Sequence, residues 1–165
     1  MKEKVICITK DGVAIAADFY RVFGAHKGVI LIHMMPNDRT SWIPFAKKLQ
    51  QNGFQVLAFD LRGHGESQGG PLGYKNFSDA KHQASYYDIE AAEKFLRKKG
   101  VTRINCAGAS IGANLALWYC SRHAEVVSAI LLSAGIDYRG IKTEPCMQNI
   151  KEGQAIYFVG SLEDE

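Results

Sequence analysis

Residues Ile104–Leu117, with the sequence INCAGASIGANLAL, decide the fold. A short apolar run, Ile104–Ala107, meets a Gly-Ala-Ser-Ile-Gly turn that opens into a helix-like stretch of small residues. The spacing G-x-S-x-G at a strand-to-helix turn is typical of a nucleophile elbow, in which a serine stands above the end of a sheet. Ser110 then needs a strained backbone, and its neighbours Gly108 and Gly112 must be small. The pattern predicts Ser110 as a nucleophile, beside helix N–H groups that can hold a developing oxyanion.

Apolar and amphipathic segments alternate on both sides of this turn. Apolar runs predict strands at residues 5–8, 13–21, 28–33, 55–60, 104–107, 129–133 and 155–160. Helical spacing predicts helices over residues 41–52 and 84–99 and from the elbow to about residue 122. The alternation favours an α/β fold with a doubly wound, mostly parallel sheet of about seven strands, whose carboxyl ends carry the site. Residues 1–165 are expected to form a single domain. About twenty residues separate the last two strands, too few for a large lid insertion.

Composition narrows the class of protein. The net charge of +3 is too slight to indicate a nucleic-acid partner, and no apolar stretch reaches the length of a membrane span. The four cysteines form no C-x-x-C pair and no metal-ligand spacing with histidine, so they are predicted to be reduced core residues. The first residues lack the apolar segment of a signal peptide. We therefore expect a cytoplasmic protein with no cofactor and no metal.

Three motifs follow three consecutive buried strands and meet at one edge of the predicted sheet. They are HMMP at 33–36, RGHGES at 62–67 and GASIG at 108–112. The second motif follows a strand that ends in Asp60 and precedes the third by about forty residues. Together they resemble the α/β-hydrolase superfamily, particularly its small esterase, thioesterase and serine-peptidase-like members. The resemblance covers nearly the whole chain.

The resemblance implies roles for individual residues. Ser110 would be the nucleophile, and the backbone N–H of Ile111 would form half of the oxyanion hole. The other half would come from the N–H of Met35, with Met34 as the alternative. Here the sequence departs from the family, because His33 is followed by methionine instead of the usual glycine. The two methionines would either line the acyl pocket or belong to the packed core.

The same resemblance implies an acid that orients a histidine. Asp164 occupies the matching position after the strand at 155–160, and Asp137, after the preceding strand, is the alternative. A turn-forming role is the better interpretation of Asp137. Asp60 and Asp88 are predicted to be structural.

No histidine follows Asp164, although the family places its catalytic histidine there. His33 is expected to be a structural group of the oxyanion loop, and His64 to brace its own loop, with a role as replacement base the weaker interpretation. The remaining three are expected on solvent or helix surfaces: His26, His82 and His123. The sequence as a whole would therefore supply a nucleophile, an oxyanion hole and an acid, but no evident base.

Two classes of function remain open at this stage. The first is a serine hydrolase that forms an acyl-enzyme on Ser110 from a carboxylic ester or a related small-molecule acyl substrate. Its chain is then expected to be C-terminally incomplete, lacking the last strand, the last helix and the triad histidine. A second polypeptide that completes a split hydrolase, or a homo-oligomer, is left open. The other class is a non-catalytic pseudoenzyme or binding module that keeps the pocket. Neither calls for a nucleic-acid or membrane partner.

Overall fold

The computed structural model describes residues 1–160. The strands are β1 (Lys2–Ile8), β2 (Ala14–Tyr20), β3 (Lys27–Ile32), β4 (Gln55–Phe59), β5 (Arg103–Ala109), β6 (Val126–Leu132), β7 (Asp137–Tyr138), β8 (Ile141–Lys142) and β9 (Ala155–Val159). The helices are α1 (Ile43–Gln51), α2 (Asp79–Gln83), α3 (Tyr86–Lys98), α4 (Ile111–Arg122) and α5 (Thr143–Met147). Among these helices, none is both long enough and apolar enough to cross a membrane.

Seven strands form one sheet in the order β1-β2-β4-β3-β5-β6-β9. β1 pairs antiparallel with β2, and β2 pairs antiparallel with β4. All the other pairs in this sheet are parallel. The predicted mostly parallel sheet of seven strands is therefore confirmed. A separate antiparallel ribbon of β7 and β8, which the sequence did not predict, lies between β6 and α5.

The core lies on both faces of the sheet. β3 shows this directly, because Ile30 and Ile32 join the apolar cluster beneath α3 and α4, whereas Val29 and Leu31 join the cluster beneath α1. A strand that is covered on both faces needs apolar side chains in both directions. This double burial explains why the strand reads as an unbroken apolar run.

The sheet has an apolar edge at β9, which pairs only with β6 among residues 1–160. Tyr157, Phe158 and Val159 are 58%, 58% and 52% exposed, and all five residues of the strand are uncharged. Tyr157 and Val159 lie beside Ile130 and Leu132 of β6, which are themselves half-buried on the α1 face. Uncharged apolar edges of this kind are usually covered or interrupted in folded proteins.

Candidate active site

Ser110 lies between β5 and α4 in the conformation that the elbow motif predicts. Its φ and ψ are 53° and −122°, in a region that residues other than glycine rarely adopt. Its N–H donates to the carbonyl of Leu132 at 2.9 Å, and its carbonyl accepts the N–H of Ala113 at 2.8 Å. These two hydrogen bonds fix the strained residue between the end of β6 and the first turn of α4.

The two glycines of the motif are required by backbone contacts. A Cβ atom on Gly108 would overlap the carbonyl oxygen of Gly112. A Cβ atom on Gly112 would overlap the carbonyl of Ile32 and lie 2.7 Å from that of His33. The first turn of α4 therefore lies directly against the end of β3, where the loop with Met34 begins.

His33 is a fully buried, neutral imidazole that braces this loop. Its Nε2 accepts the N–H of Leu61 at 3.0 Å, so Nδ1 carries the proton and donates to the carbonyl of Met34 at 2.9 Å. Burial lowers the pKa of His33 to about 4. The N–H of Asn37 also donates to the Met34 carbonyl, at 3.0 Å. Two donors therefore hold this carbonyl in place.

The fixed carbonyl sets the direction of the next N–H group. The Met34–Met35 peptide is trans, so the N–H of Met35 points opposite to the Met34 carbonyl and away from the His33 ring. Ile111 is the first residue of α4, where backbone N–H groups have no partner within the helix. The side chain of Met35 packs half-buried against the core, whereas that of Met34 is 38% exposed. The packed-core interpretation thus holds for Met35.

The titration of His33 predicts a loss of stability in mild acid. Its folded pKa of about 4 lies below the ordinary 6.5, so below pH 6.5 the unfolded chain takes up a proton that the folded protein excludes. The free energy of unfolding should fall by about 2 kcal/mol from this group between pH 7.5 and pH 5. Urea titrations at the two pH values measure the change.

The matched variants are His33→Asn and His26→Gln. His33→Asn should reduce the pH-dependent loss by about 2 kcal/mol. His26→Gln, at an exposed position, should leave it unchanged. Burial also lowers the pKa of His64, but that residue is present in every protein compared. An equal loss in wild type and His33→Asn would contradict the assignment.

His64 is held within its own loop, as the sequence predicts. Its Nδ1–H donates to the carbonyl of Arg62 at 3.0 Å, and its ring stacks on Tyr74 at 4.1 Å. The His33 ring lies edge-on at 5.0 Å. The Nε2 atom of His64 is buried and has no hydrogen-bond partner among residues 1–160. Over the same residues, no hydrogen bond joins the Ser110 hydroxyl to an imidazole.

Two buried arginines hold the loops around the site. Arg62 binds Asp88 of α3 through its backbone N–H and its guanidinium, and binds Asp11 of the β1–β2 turn at 2.7 Å. Arg39 binds Asp60 at the end of β4 through its backbone N–H and its guanidinium. Asp60 and Asp88 are thus structural, as predicted. The arginines were not predicted as their partners.

The two acid candidates have different outcomes. Asp164 lies outside the described residues. Asp137 opens the β7–β8 ribbon, and its carboxylate accepts the N–H of Gly140 at 2.8 Å, which is the turn-forming role. The sequence analysis missed Asn114, a buried residue of α4. Its amide donates to the carbonyls of Gly135 and Ile141 and accepts the N–H of Gly135, so it fixes this ribbon to α4.

The prediction that His82 lies on a surface is wrong. The residue is only 3% exposed, because its ring packs edge-on against Phe77 at 5.4 Å. His26 is exposed, as predicted. His123 is half-buried, since its ring stacks on Tyr119 at 4.1 Å.

One cluster of metal-type ligands occurs among residues 1–160, formed by Glu93, His123 and Glu125. Both oxygens of Glu93 are already engaged, one by Arg97 at 2.8 Å and the other by the hydroxyl of Tyr119. An arginine bound to the carboxylate opposes a second cation there. The cluster is a structural hydrogen-bond network.

The fold and the elbow together define a class of protein. A mostly parallel sheet that raises a glycine-flanked, strained serine at the carboxyl end of a central strand is the α/β-hydrolase arrangement. A family model described as the alpha/beta hydrolase fold matches residues 28–160. The chain therefore belongs to the α/β-hydrolase family.

Individual relatives agree with this assignment. A non-heme chloroperoxidase, CPO-A1, of Kitasatospora aureofaciens is 32% identical over 133 residues, which are 78% of this chain and 43% of that protein. The bifunctional esterase/perhydrolase DCH of Acinetobacter calcoaceticus is 31% identical over 76% of this chain and 43% of that protein. The Pyrococcus furiosus esterase Pf2001 superposes with a TM-score of 0.71 at 27% identity, covering 82% of this chain and 53% of that one. The chain thus spans less than half the length of these two curated relatives.

Proposed function

We propose that this chain provides the nucleophile and the oxyanion hole of a serine hydrolase that acts on a small carboxylic ester or related acyl compound. The observation that carries the proposal is the strained Ser110, held between two obligatory glycines at the first turn of α4. Relatives named as an esterase and as an esterase/perhydrolase support this substrate class.

In the proposed reaction, the Ser110 oxygen attacks the substrate carbonyl and passes its proton to a base. The carbonyl oxygen becomes an oxyanion, which the N–H groups of Ile111 and Met35 hold. Collapse of the tetrahedral intermediate expels the alcohol, which takes up the proton, and leaves an ester on Ser110. Water then repeats the sequence and releases the acid. His33 assists only indirectly, by fixing the Met34 carbonyl and so the direction of the Met35 N–H.

A base and an acid that orients it complete the proposed site. We retain Asp164 as the acid that would orient a histidine. Among residues 1–160 no imidazole is bonded to Ser110, so the base would come from His64 after a change in its loop, or from a second polypeptide.

The lack of an imidazole bonded to Ser110 among residues 1–160 also favours a second function, of a different class. A protein that retains the elbow and its pocket but has no base beside Ser110 would bind an acyl compound without turnover. The loss of the base in a serine triad lowers turnover by several orders of magnitude, while binding and the oxyanion hole remain.

Labelling with a fluorophosphonate probe separates the two functions. An activated Ser110 should be labelled, and Ser110→Ala should abolish labelling and lower hydrolysis of p-nitrophenyl acetate at least about 10³-fold. Mass spectrometry and initial rates measure the two effects. Ser41→Ala, at an exposed serine, is the matched control and should retain both signals. A folded protein that takes no label would favour the binding module over the hydrolase.

A further inference from the structure

Two cavities that share lining residues, together called the groove, lie along the side of α4 at the end of the helix remote from Ser110. Their volumes are about 480 Å³ and about 410 Å³, and they share Gln83, Trp118 and Arg122. Trp118 is eight residues beyond Ser110, which places it about 12 Å along the helix axis. The groove is therefore separate from the proposed catalytic elbow.

The charges that line this groove are all positive. Arg122 and Lys142 line the first cavity, Lys10 and Arg122 line the second, and neither lining contains a carboxylate. Lys10 has a distant partner, Glu90, at 3.8 Å. Arg122 and Lys142 make no ion pair among residues 1–160. Two cations that border a cavity without an ion-pair partner favour an anionic occupant.

The wall beside Arg122 is aromatic. The Arg122 guanidinium lies 5.3 Å above the ring of Trp118, and the Tyr86 ring lies 4.9 Å from that of Trp118. Burial raises the pKa of both Tyr86 and Cys146. The charge of Arg122 opposes the rise at Tyr86, where Glu90, Glu125 and Glu93 add to it. At Cys146 the rise is opposed by a hydrogen bond with Ser121 and then by the charge of Arg122. Since Tyr86 lines one cavity and Cys146 the other, the positive charge acts on both parts of the groove.

We infer that the groove binds a planar organic anion of the aromatic carboxylate class. The paired N–H donors of the Arg122 guanidinium match the two oxygens of a carboxylate, and Lys142 supplies a second positive charge. Trp118 and Tyr86 line the cavities and are only half-buried, so they supply aromatic surface that a flat apolar body can contact. Each cavity is within the usual size range of small-ligand sites.

The test uses 2-naphthoate as the probe and Trp118 as the reporter. The chain has two tryptophans, so Trp42→Phe leaves Trp118 as the only one. Saturable quenching of its fluorescence by 2-naphthoate is expected. Arg122→Gln should weaken binding about five- to tenfold, because a charged hydrogen-bond partner is lost at an exposed site. The neutral analogue 2-naphthamide should bind weaker than 2-naphthoate by a similar factor.

Controls separate this site from general effects. Lys47→Gln removes an exposed cation from α1, on the opposite face of the sheet, and should leave binding unchanged. Ser110→Ala should also bind normally, which distinguishes a failure here from a failure of the proposed hydrolase. If Trp42→Phe does not fold, calorimetry on the otherwise unchanged chain gives the same comparison. Equal affinity for naphthoate and naphthamide, or for wild type and Arg122→Gln, would overturn the inference.

Discussion

The Gly108→Ala variant is expected to lose its stable fold. A methyl group at residue 108 overlaps the carbonyl oxygen of Gly112 and lies 2.7 Å from the backbone nitrogen of Ala113. Both obstacles are backbone atoms in the first turn of α4, so no side-chain rotation can relieve the clash. Relief would require β5 and α4 to separate within the core. We expect a loss of more than about 4 kcal/mol, comparable with the whole stability of many domains.

Gly73→Ala is the matched control for this prediction. Its added methyl would lie 3.6 Å from the Cα atom of Gly63, an ordinary contact, and its φ is outside the left-handed region. Its free energy of unfolding should stay within about 1 kcal/mol of wild type. Circular dichroism during urea unfolding measures both variants. A Gly108→Ala protein with the wild-type urea midpoint would contradict this prediction, because it would show that β5 and α4 can separate without a loss of stability.

Arg39→Met is expected to have the second largest effect on stability. The Arg39 guanidinium binds Asp60, contacts Asp18 at 3.3 Å and donates to Glu66 at 2.7 Å. Asp60 and Asp18 are 0% and 2% exposed, so the variant leaves two buried carboxylates without this cation. Removal of one partner from a buried ion pair costs about 3–5 kcal/mol. The loop after β4 should also loosen, because Arg39 connects Glu66 of that loop to Asp60.

Arg21→Met tests whether the burial of the ion pairs explains the loss of stability expected for Arg39→Met. Arg21 pairs with Glu3 at 3.2 Å, but both side chains are about one-third exposed. Such pairs contribute at most about 1 kcal/mol. Chemical denaturation of the two variants compares the losses, and hydrogen exchange at residues 61–70 reports on the loop. Equal losses would mean that the buried network is no stronger than the surface pair.

Much of this fold could be predicted because its signals are local. Strands covered on both faces leave continuous apolar runs, and the run at 28–33 identifies β3 directly. The elbow could be predicted because one of its glycines is required by atoms only a few residues away. A Cβ atom on Gly108 would overlap the carbonyl oxygen of Gly112. The partners of Gly112 at the end of β3 are distant in sequence, and only the structure identifies them.

The features that sequence analysis missed depend on contacts between distant segments. The two-residue strands β7 and β8 are too short to show periodicity, and they are fixed to α4 by Asn114, which reads as an ordinary polar residue of a helix. His82 likewise owes its burial to packing against Phe77. Arg39 gives no local sign that it will bind Asp60, 21 residues away.

The apolar edge at β9 has a consequence for how long the folded protein survives at high concentration. Among residues 1–160, its outer backbone groups pair with no other strand, and the side chains Tyr157, Phe158 and Val159 carry no charge to repel an incoming chain. An extended segment of another molecule can therefore add to this edge and become a template in turn. A high concentration of this 165-residue chain is then expected to shorten the lifetime of its monomeric state.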